Sequence, residues 1–464
     1  MNDTQRIQKI DAFIEENKES MLRDLKTLVG IPSVQGPAEP GAPFGANVRK
    51  ALDTALDMAS SFGLNVHDCE GYMGYAEIPG ESEKQIATIA HLDVVPAGNG
   101  WDSDPFELVE KEGYVIGRGT SDDKGPAVLT LYAAKFFKEQ GQPLPYTLRI
   151  LLGCAEETAM ADVDYYLSHY PEPAFCFTPD AEFPVGYGEK GLFNGTFTGV
   201  LGQGNLVRFE GGVAANVVPD RAFAVVKADA AGLADTDRVK VTCEGEGLVR
   251  ISGYGKGGHA STPEGTINAI GLVVEYLLDH GLCTPQENQF LQMEKELLNS
   301  TDGAFADIAC QDHVFTPLTC IGGTVMLQDG QIRQTIDIRY PTCIDADTLQ
   351  EKLSAFAARF GARFAAEKPS VPFYIEPDSP AIRTLIDAYN QVTGQNKKPF
   401  TMGGGTYARH FKNAVSFGME EADETFPAFV GPIHGANEGV SVARLTQSLK
   451  IYILAIARLM ELEF

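Results

Sequence analysis

Residues 85–93 read QIATIAHLD, a short apolar run that ends in a histidine and an aspartate. A continuous apolar run of this length is typical of a β-strand covered on both faces, as in a parallel sheet flanked by helices. The side chains of His91 and Asp93 lie on the same side of an extended chain, because the side-chain period of a strand is two residues. The stretch therefore predicts an α/β fold with polar groups at the carboxyl end of one strand.

Two further apolar runs end in acidic residues. Residues 146–152 lead into Glu156 and Glu157, and residues 174–177 lead into Asp180. In an open α/β sheet, ligands bind at the carboxyl ends of the strands, so these side chains can converge although they are distant in sequence. Two adjacent carboxylates beside a buried strand need cations or protons to be tolerated. The pattern indicates a functional site at this edge of the sheet.

A glycine-flanked acidic loop, GRGTSDDKGP at residues 117–126, precedes a predicted helix over 128–139. Glycines on both sides of Asp122 and Asp123 suggest a rigid turn that directs a carboxylate. The same pair suits the start of a helix, where the helix dipole favours negative charge, and that role can coexist with metal ligation. Each of these motifs is weak alone, and their conjunction is a much stronger signal.

The composition is that of a globular chain of 464 residues, 44% hydrophobic and 22% charged. This length exceeds one ordinary core and predicts two or three domains. No apolar run approaches the roughly 20 residues of a membrane helix, so we expect no membrane-spanning segment. The first thirty residues lack a signal pattern, which makes a cytoplasmic location the expectation. The eight cysteines occur singly, as expected of buried thiols rather than disulfides or zinc ligands.

The chain is strongly acidic. Its 37 Lys and Arg residues stand against 63 Asp and Glu residues, which gives a net charge of -26. Such a surface repels phosphate backbones, so we expect no nucleic-acid partner. Solubility is the main explanation of this charge, although bound cations could balance several of the carboxylates.

The character of the sequence changes near residue 188. From there to residue 372 it is richer in glycine, threonine and strand-like segments, which predicts an α+β domain inserted into a first domain. That first domain would consist of residues 1–187 and 373–464. The predicted strands of the inserted domain are 191–198, 217–227, 238–243, 248–253 and 331–339, and its predicted helices are 266–278 and 346–360.

Taken in order, the motifs resemble the signature of the M20 metallopeptidases, and within that family most closely the PepV-type dipeptidases. The resemblance spans nearly the whole chain, and its motifs are specific in combination. It is carried by HLDVVP (91–96), GRGTSDDKG (117–125), EET (156–158), PDAEFPV (179–185), GGHASTP (257–263), GGGTYAR (403–409) and IHG (433–435). It implies a di-metal catalytic domain with a mainly parallel sheet and helices on both faces, interrupted by a large α+β lid domain.

The resemblance also implies two divalent metal ions per chain. By similarity, His91 and Asp180 would bind one ion, Glu157 and His434 the other, and Asp122 would bridge them. Asp93 would steady His91, because a carboxylate behind a ligating histidine fixes its tautomer. Nitrogen and oxygen ligands of this kind suit zinc first, with manganese and cobalt as alternatives.

Glu156 is then left as the general base on a metal-bridging water. In the lid domain, the resemblance implies that His259 hydrogen-bonds the tetrahedral intermediate and that Asn216 contacts the substrate. Arg339 would clamp a free C-terminal carboxylate, which a guanidinium binds in a bidentate geometry. A surface arginine at a strand edge is the alternative for Arg339.

The expected activity is metal-dependent hydrolysis of dipeptides or very short peptides with a free C-terminal carboxylate. Within enzymes, the alternatives are a deacylase of N-acyl amino acids and a carboxypeptidase using the same site. From another class, the alternative is a non-catalytic metal-binding or peptide-binding module, which would be expected to lack Glu156 or Asp122. We expect a monomer, since the enlarged lid could place His259 in the site of its own chain.

Overall fold

The structure, a computed structural model, describes residues 3–464 and divides the chain into two compact units. The first unit contains Met1–Tyr187, Tyr374–Phe400 and Thr406–Phe464, and the second contains Gly188–Phe373 and Thr401–Gly405. The sequence-based division kept residues 373–464 together, whereas six of them, Phe373 and Thr401–Gly405, belong to the second unit. The reason is local bonding, since the backbone N–H of Lys190 donates to Met402 O at 3.0 Å.

Helices account for the apolar periodicities of the sequence. The α-helices of the described residues are α1 (Asp3–Val29), α2 (Ala46–Ser61), α3 (Lys124–Gln140), α4 (Ala161–His169), α5 (Ala269–Asp279), α6 (Pro285–Leu298), α7 (Ala346–Arg359), α8 (Pro380–Thr393) and α9 (Val442–Leu459). Short 3-10 turns cover Ala304–Ala306 and Tyr407–His410. Among the residues described, no helix combines the length and the apolar character that crossing a membrane requires.

The strands of the described residues fall into two large sheets and two small ones. They are β1 (Asn65–Cys69), β2 (Met73–Ile78), β3 (Ser82–His91), β4 (Val109–Lys111), β5 (Tyr114–Ile116), β6 (Tyr146–Gly153), β7 (Phe175–Thr178), β8 (Gly186–Glu189), β9 (Gly191–Val200), β10 (Leu206–Gly211), β11 (Val217–Val218), β12 (Arg221–Lys227), β13 (Val239–Gly245), β14 (Leu248–Tyr254), β15 (Gly258–His259), β16 (Thr319–Gln328), β17 (Gln331–Tyr340), β18 (Arg363–Ala366), β19 (Phe373–Tyr374), β20 (Phe400–Met402), β21 (Ala414–Ser416) and β22 (Gly439–Ser441).

The first large sheet has the order β1-β2-β6-β3-β7-β21-β8-β19, with β20 paired to β8. Its four central strands, β6, β3, β7 and β21, are parallel, and β1, β2 and β8 pair antiparallel at the sides. Residues 85–91 of β3 are all buried, which requires cover on both faces of the sheet. The predicted α/β fold class is therefore confirmed, with parallel pairing at the centre of a mixed sheet.

The second large sheet is antiparallel, in the order β13-β14-β12-β10-β16-β17-β9-β18. Burial alternates along β9, so one face of this sheet carries a separate hydrophobic core, to which α5, α6 and α7 contribute. The predicted strand 217–227 is divided into β11 and β12, because Pro219 has no N–H with which to continue a ladder. The sequence did not indicate β10, β16 or α6, although α6 begins with a capping box formed by Thr284 and Glu287.

Candidate metal centre

Three strands of the first unit bring the candidate ligands to one edge of the sheet. Strand β3 lies between β6 and β7 and runs parallel to both. It ends at His91, whereas Glu156 and Glu157 follow the end of β6 and Asp180 follows the end of β7. Because parallel strands end at the same edge, the three predicted groups meet there.

Asp122 lies between two histidines. Its Oδ1 is 2.9 Å from His91 Nε2, and its Oδ2 is 2.8 Å from His434 Nε2. A second carboxylate adjoins each histidine, with Asp180 Oδ2 3.7 Å from His91 Nε2 and Glu157 Oε1 3.1 Å from His434 Nε2. The five side chains therefore form two nitrogen-and-oxygen groups that share Asp122.

The cluster carries more negative charge than its surroundings neutralise. Burial and the neighbouring Asp122 raise the pKa of Asp180 to about 7, and burial and Asp180 raise the pKa of Glu156 well above its usual range. Hydrogen bonds to Asp122 and Glu157 raise the pKa of His434 to about 11. Cations would therefore be favourable here, and imidazole and carboxylate are ligands that divalent metals accept. The residues present fit a pair of divalent ions.

Asp93 connects His91 to the turn after β6. The Nδ1 atom of His91 lies 2.9 Å from the backbone oxygen of Asp93 and 3.4 Å from its Oδ1. The Asp93 carboxylate also accepts the backbone N–H groups of Glu156 at 3.2 Å and Glu157 at 3.1 Å. Asp93 therefore orients the histidine mainly through its backbone oxygen, and its carboxylate holds the turn that carries the predicted base.

The acidic loop before α3 is held by Glu438, which sequence reasoning did not single out. Glu438 Oε1 accepts the backbone N–H groups of Gly119, Ser121 and Asp122 at 3.1, 3.0 and 3.2 Å. Its Oε2 pairs with Arg118 at 2.5 Å, and both side chains are fully buried. The sequence offered one indication of its role, which is that Glu438 is an acidic residue four positions after the predicted ligand His434.

Arg118 extends this connection to the loop that carries His434. Its Nη2 donates to the backbone oxygens of His434 and Gly435, each at 3.3 Å. The Arg118–Glu438 pair therefore contacts both the segment of Asp122 and the segment of His434. Because these contacts are to backbone atoms, the pair fixes the backbone positions from which the side chains of Asp122 and His434 extend.

Backbone geometry in the acidic loop depends on two glycines. Gly119 has a φ of 90°, a conformation that residues with a side chain rarely adopt. A Cβ atom on Gly125 would overlap the backbone oxygen of Thr120. The peptide bond between Asp122 and Asp123 is cis. Asp123 Oδ2 accepts the backbone N–H of His91 at 2.9 Å, so Asp123 helps to position the backbone of His91.

A second buried carboxylate supports the turn after β6. Asp162 Oδ2 accepts the backbone N–H groups of Cys154 at 2.6 Å and Ala155 at 3.0 Å, and also the hydroxyl of Tyr407. A Cβ on Gly153 would overlap this tyrosine. Sequence reasoning missed Asp162 and Tyr407, which are separated by more than two hundred residues and carry no local signal.

The three predicted substrate contacts lie in the second unit. Strands β11 and β15 pair Val217 with His259, and the backbone N–H of Ala260 donates to Asn216 O at 2.9 Å, so Asn216 and His259 are neighbours. The backbone N–H of Ser261 donates to His259 Nδ1 at 3.2 Å. A neutral His259 ring therefore carries its proton on Nε2, which makes that nitrogen a donor.

Arg339 is not the surface arginine of the alternative interpretation. It lies on β17, an interior strand, and is only 6% exposed. Its Nε and Nη2 donate to the two oxygens of Asp337 at 2.6 and 2.9 Å, and its Nη1 donates to Gly403 O at 3.1 Å. These contacts use three of the five N–H groups of a guanidinium.

Comparison with known proteins found a family match and many relatives. Residues 87–458 match the family described as Peptidase family M20/M25/M40. The YtjP protein of Bacillus subtilis (strain 168) is 31% identical over 460 residues, 95% of this chain and 97% of that protein. The beta-Ala-Xaa dipeptidase of Lactobacillus delbrueckii subsp. lactis is 30% identical over 480 residues, 96% of this chain and 97% of that enzyme.

A solved structure has the same fold. The di-peptidase Dug1p from Saccharomyces cerevisiae superposes with a TM-score of 0.66 over 99% of both chains. Its sequence is only 14% identical, so this likeness concerns the fold alone. The family match over most of the chain, together with the order of the motifs around Asp122, shows that this chain belongs to peptidase family M20/M25/M40.

Proposed function

We propose that this peptidase is a two-metal dipeptidase that cleaves dipeptides or very short peptides with a free C-terminal carboxylate. The observation that carries the proposal is the position of Asp122 between His91 and His434, with one carboxylate oxygen toward each. A shared carboxylate flanked by two nitrogen-and-oxygen groups suits a pair of divalent ions. The beta-Ala-Xaa dipeptidase relative supports a dipeptide as the substrate.

His91, Asp122 and Asp180 would hold one ion, and Asp122, Glu157 and His434 the other. When bound, two such ions supply Lewis acidity that polarises the scissile carbonyl and makes a water molecule easier to deprotonate. Zinc is the first choice, with manganese and cobalt as alternatives. The ions would also balance the crowded carboxylates, which together with burial raise the pKa of Asp180.

Glu156 is the proposed general base. It is adjacent to Glu157, so one carboxylate can hold a metal while its neighbour takes the proton of the attacking water and passes it to the leaving amine. Burial and Asp180 raise the pKa of Glu156, and this environment favours uptake of a proton. The turn that carries it is fixed by Asp93 and Asp162, which limits its movement during turnover.

The second unit is the proposed lid, with His259, Asn216 and Arg339 as substrate contacts. The Nε2–H of His259 is suited to stabilise a developing oxyanion. Arg339 would bind the substrate carboxylate through the N–H groups that Asp337 and Gly403 do not use. We propose a monomer, which a molar-mass measurement in solution tests, and the cytoplasmic location stays a prediction.

A substrate panel tests the proposal. The metal-free protein is reconstituted separately with zinc, manganese and cobalt, and is then given dipeptides, tripeptides and N-acetylated amino acids. Preference for free dipeptides supports the proposal, whereas preference for N-blocked substrates would establish a deacylase. Cleavage of long peptides one residue at a time from the C-terminus would establish a carboxypeptidase. Fewer than two bound ions and no activity with any metal would instead support a non-catalytic metal-binding or peptide-binding module.

The variant Glu156→Gln tests the base. It keeps the size of the side chain and removes the proton acceptor, so kcat should fall on the order of 10²-fold or more while both ions stay bound. Glu461→Gln is the matched control, because Glu461 lies on the surface in an ion pair with Arg6. Near-normal turnover in Glu156→Gln would refute the assignment.

A further inference from the structure

A cavity of about 200 Å³ in the first unit adjoins the candidate metal ligands. Ser121 and Ile433 line it, and these residues directly precede Asp122 and His434. Its volume is below the roughly 300 Å³ at which pockets for drug-sized ligands begin, and is better suited to one amino-acid residue. The proposed function leaves this cavity without a role.

Apolar side chains form much of the wall. Met419, Phe426, Ile433 and Val440 all line the cavity. Arg444 lines it as well, but its guanidinium is already paired with acidic side chains on the same wall. The surface formed by these side chains is therefore suited to an apolar group.

Two of the three acidic residues on the wall have cationic partners. Glu421 pairs with Arg444 at 3.2 Å and with Lys397, and it accepts the hydroxyl of Tyr389 at 2.6 Å. Glu424 pairs with Arg444 at 3.3 Å. The charges of Glu421 and Glu424 are thus balanced by the protein itself.

Glu420 is different, because its side chain has no hydrogen bond or ion pair within residues 3–464, and the charged groups that act on it most strongly are all carboxylates. Its backbone is fixed beside the metal centre, donating to Ala181 O at 3.2 Å and accepting from Phe183 N at 2.8 Å. Burial is the largest cause that raises the pKa of Glu420 to about 8, and repulsion from the carboxylates of Asp122 and Asp180 also raises it. A carboxyl group enclosed in this way lacks a positive partner.

A dipeptide would supply that partner. Its α-amino group and its scissile carbonyl carbon are separated by one atom, the α-carbon, so the group that binds the amine has to adjoin the metal centre. We propose that the cavity receives the amino-terminal residue of the substrate, with Glu420 binding the ammonium group and the apolar wall taking its side chain. This inference rests on the proposed dipeptidase function and names the recognition group for its substrate.

The test compares two substrates that differ only in the amine. These are leucyl-glycine and 4-methylpentanoyl-glycine, and each is measured both as a substrate and as a competitive ligand. In the unaltered enzyme we expect kcat/KM and affinity to favour leucyl-glycine. In Glu420→Gln this preference should shrink on the order of 10- to 100-fold, which is the usual effect of a hydrogen bond to a charged group.

The matched control is Glu424→Gln, which makes the same change on the same wall. It should alter both compounds by one common factor, because Glu424 is balanced by Arg444. The ratio of the two compounds is taken within each preparation, so a lower fraction of folded enzyme cannot change it. Glu420→Asp, which keeps the charge, should retain much of the preference and decides the question if the glutamine variant is inactive.

Two results would overturn the inference. One is an unaltered preference in Glu420→Gln, and the other is equal treatment of the two compounds by the unaltered enzyme. Failure of the proposed function is a distinct result, because the unaltered enzyme would then hydrolyse 4-methylpentanoyl-glycine and not leucyl-glycine, or neither compound with any metal.

Discussion

The substitution Glu438→Gln should weaken metal binding, although Glu438 is not expected to touch a metal. The residue keeps its size but loses its charge. The neutral amide cannot balance the buried guanidinium of Arg118, and its NH2 group would face either that guanidinium or the N–H groups of Gly119, Ser121 and Asp122. The segments of Asp122 and His434 should both become less fixed.

The size of the effect follows from burial. Arg118 and Glu438 are both fully buried, and removing one partner of such a pair costs about 3–5 kcal/mol, because the other charge is left uncompensated. The hydrogen bonds from three backbone N–H groups belong to the same network, so their loss is included in this range and not added to it. An exposed ion pair costs about 1 kcal/mol or less.

Glu461→Gln provides the matched comparison. Glu461 also pairs with an arginine, Arg6, at 2.5 Å, but its side chain is 61% exposed. Urea unfolding of the metal-free proteins measures the free energy of unfolding, and metal analysis after dialysis measures the ions retained per chain. We expect Glu438→Gln to unfold at lower urea and to retain fewer ions, and Glu461→Gln to match the unaltered protein. A loss under about 1 kcal/mol with both ions retained would refute the reasoning.

Two other predictions concern a ligand and a buried acid. Asp122→Ala should lose both ions after dialysis, and a variant that still binds two would contradict the bridge. Both oxygens of Glu294 are buried without a hydrogen-bond partner among the described residues, and burial raises its pKa well above the usual range. The folded protein therefore keeps the proton of Glu294 at pH values where the unfolded chain has lost it. The contribution of Glu294 to the free energy of unfolding should fall by about 1.4 kcal/mol per pH unit above about 4.3, until the pH reaches the raised pKa of the folded protein. Urea unfolding followed by circular dichroism should show this contribution lost in Glu294→Gln and kept in Glu296→Gln, whose exposed carboxylate pairs with Arg359.

Much of the first unit was predictable because its signals are local. The apolar run at 85–90 and the polar residues that follow it indicated a buried parallel strand with ligands at its end. Periodic apolar residues likewise indicated α1, α2 and α9. The convergence of His91, Glu157 and Asp180 followed from the geometry of parallel strands.

The supporting groups could not be predicted in the same way. Glu438 acts on a loop more than three hundred residues earlier, and Asp162 and Tyr407 meet only in the folded chain. A single carboxylate that accepts backbone N–H groups leaves no periodic pattern in the sequence. Glu420 was missed for the same reason, because its lack of a partner is a property of the cavity and not of its neighbours in the chain.

The short segment Thr401–Gly405 affects how the protein can be taken apart. It belongs to the second unit although it is separated in sequence from the rest of that unit by part of the first. A fragment made of residues 188–373 alone would lack Gly403, and with it the backbone oxygen that orients Nη1 of Arg339. Exchange of the second unit between relatives would therefore have to include both segments.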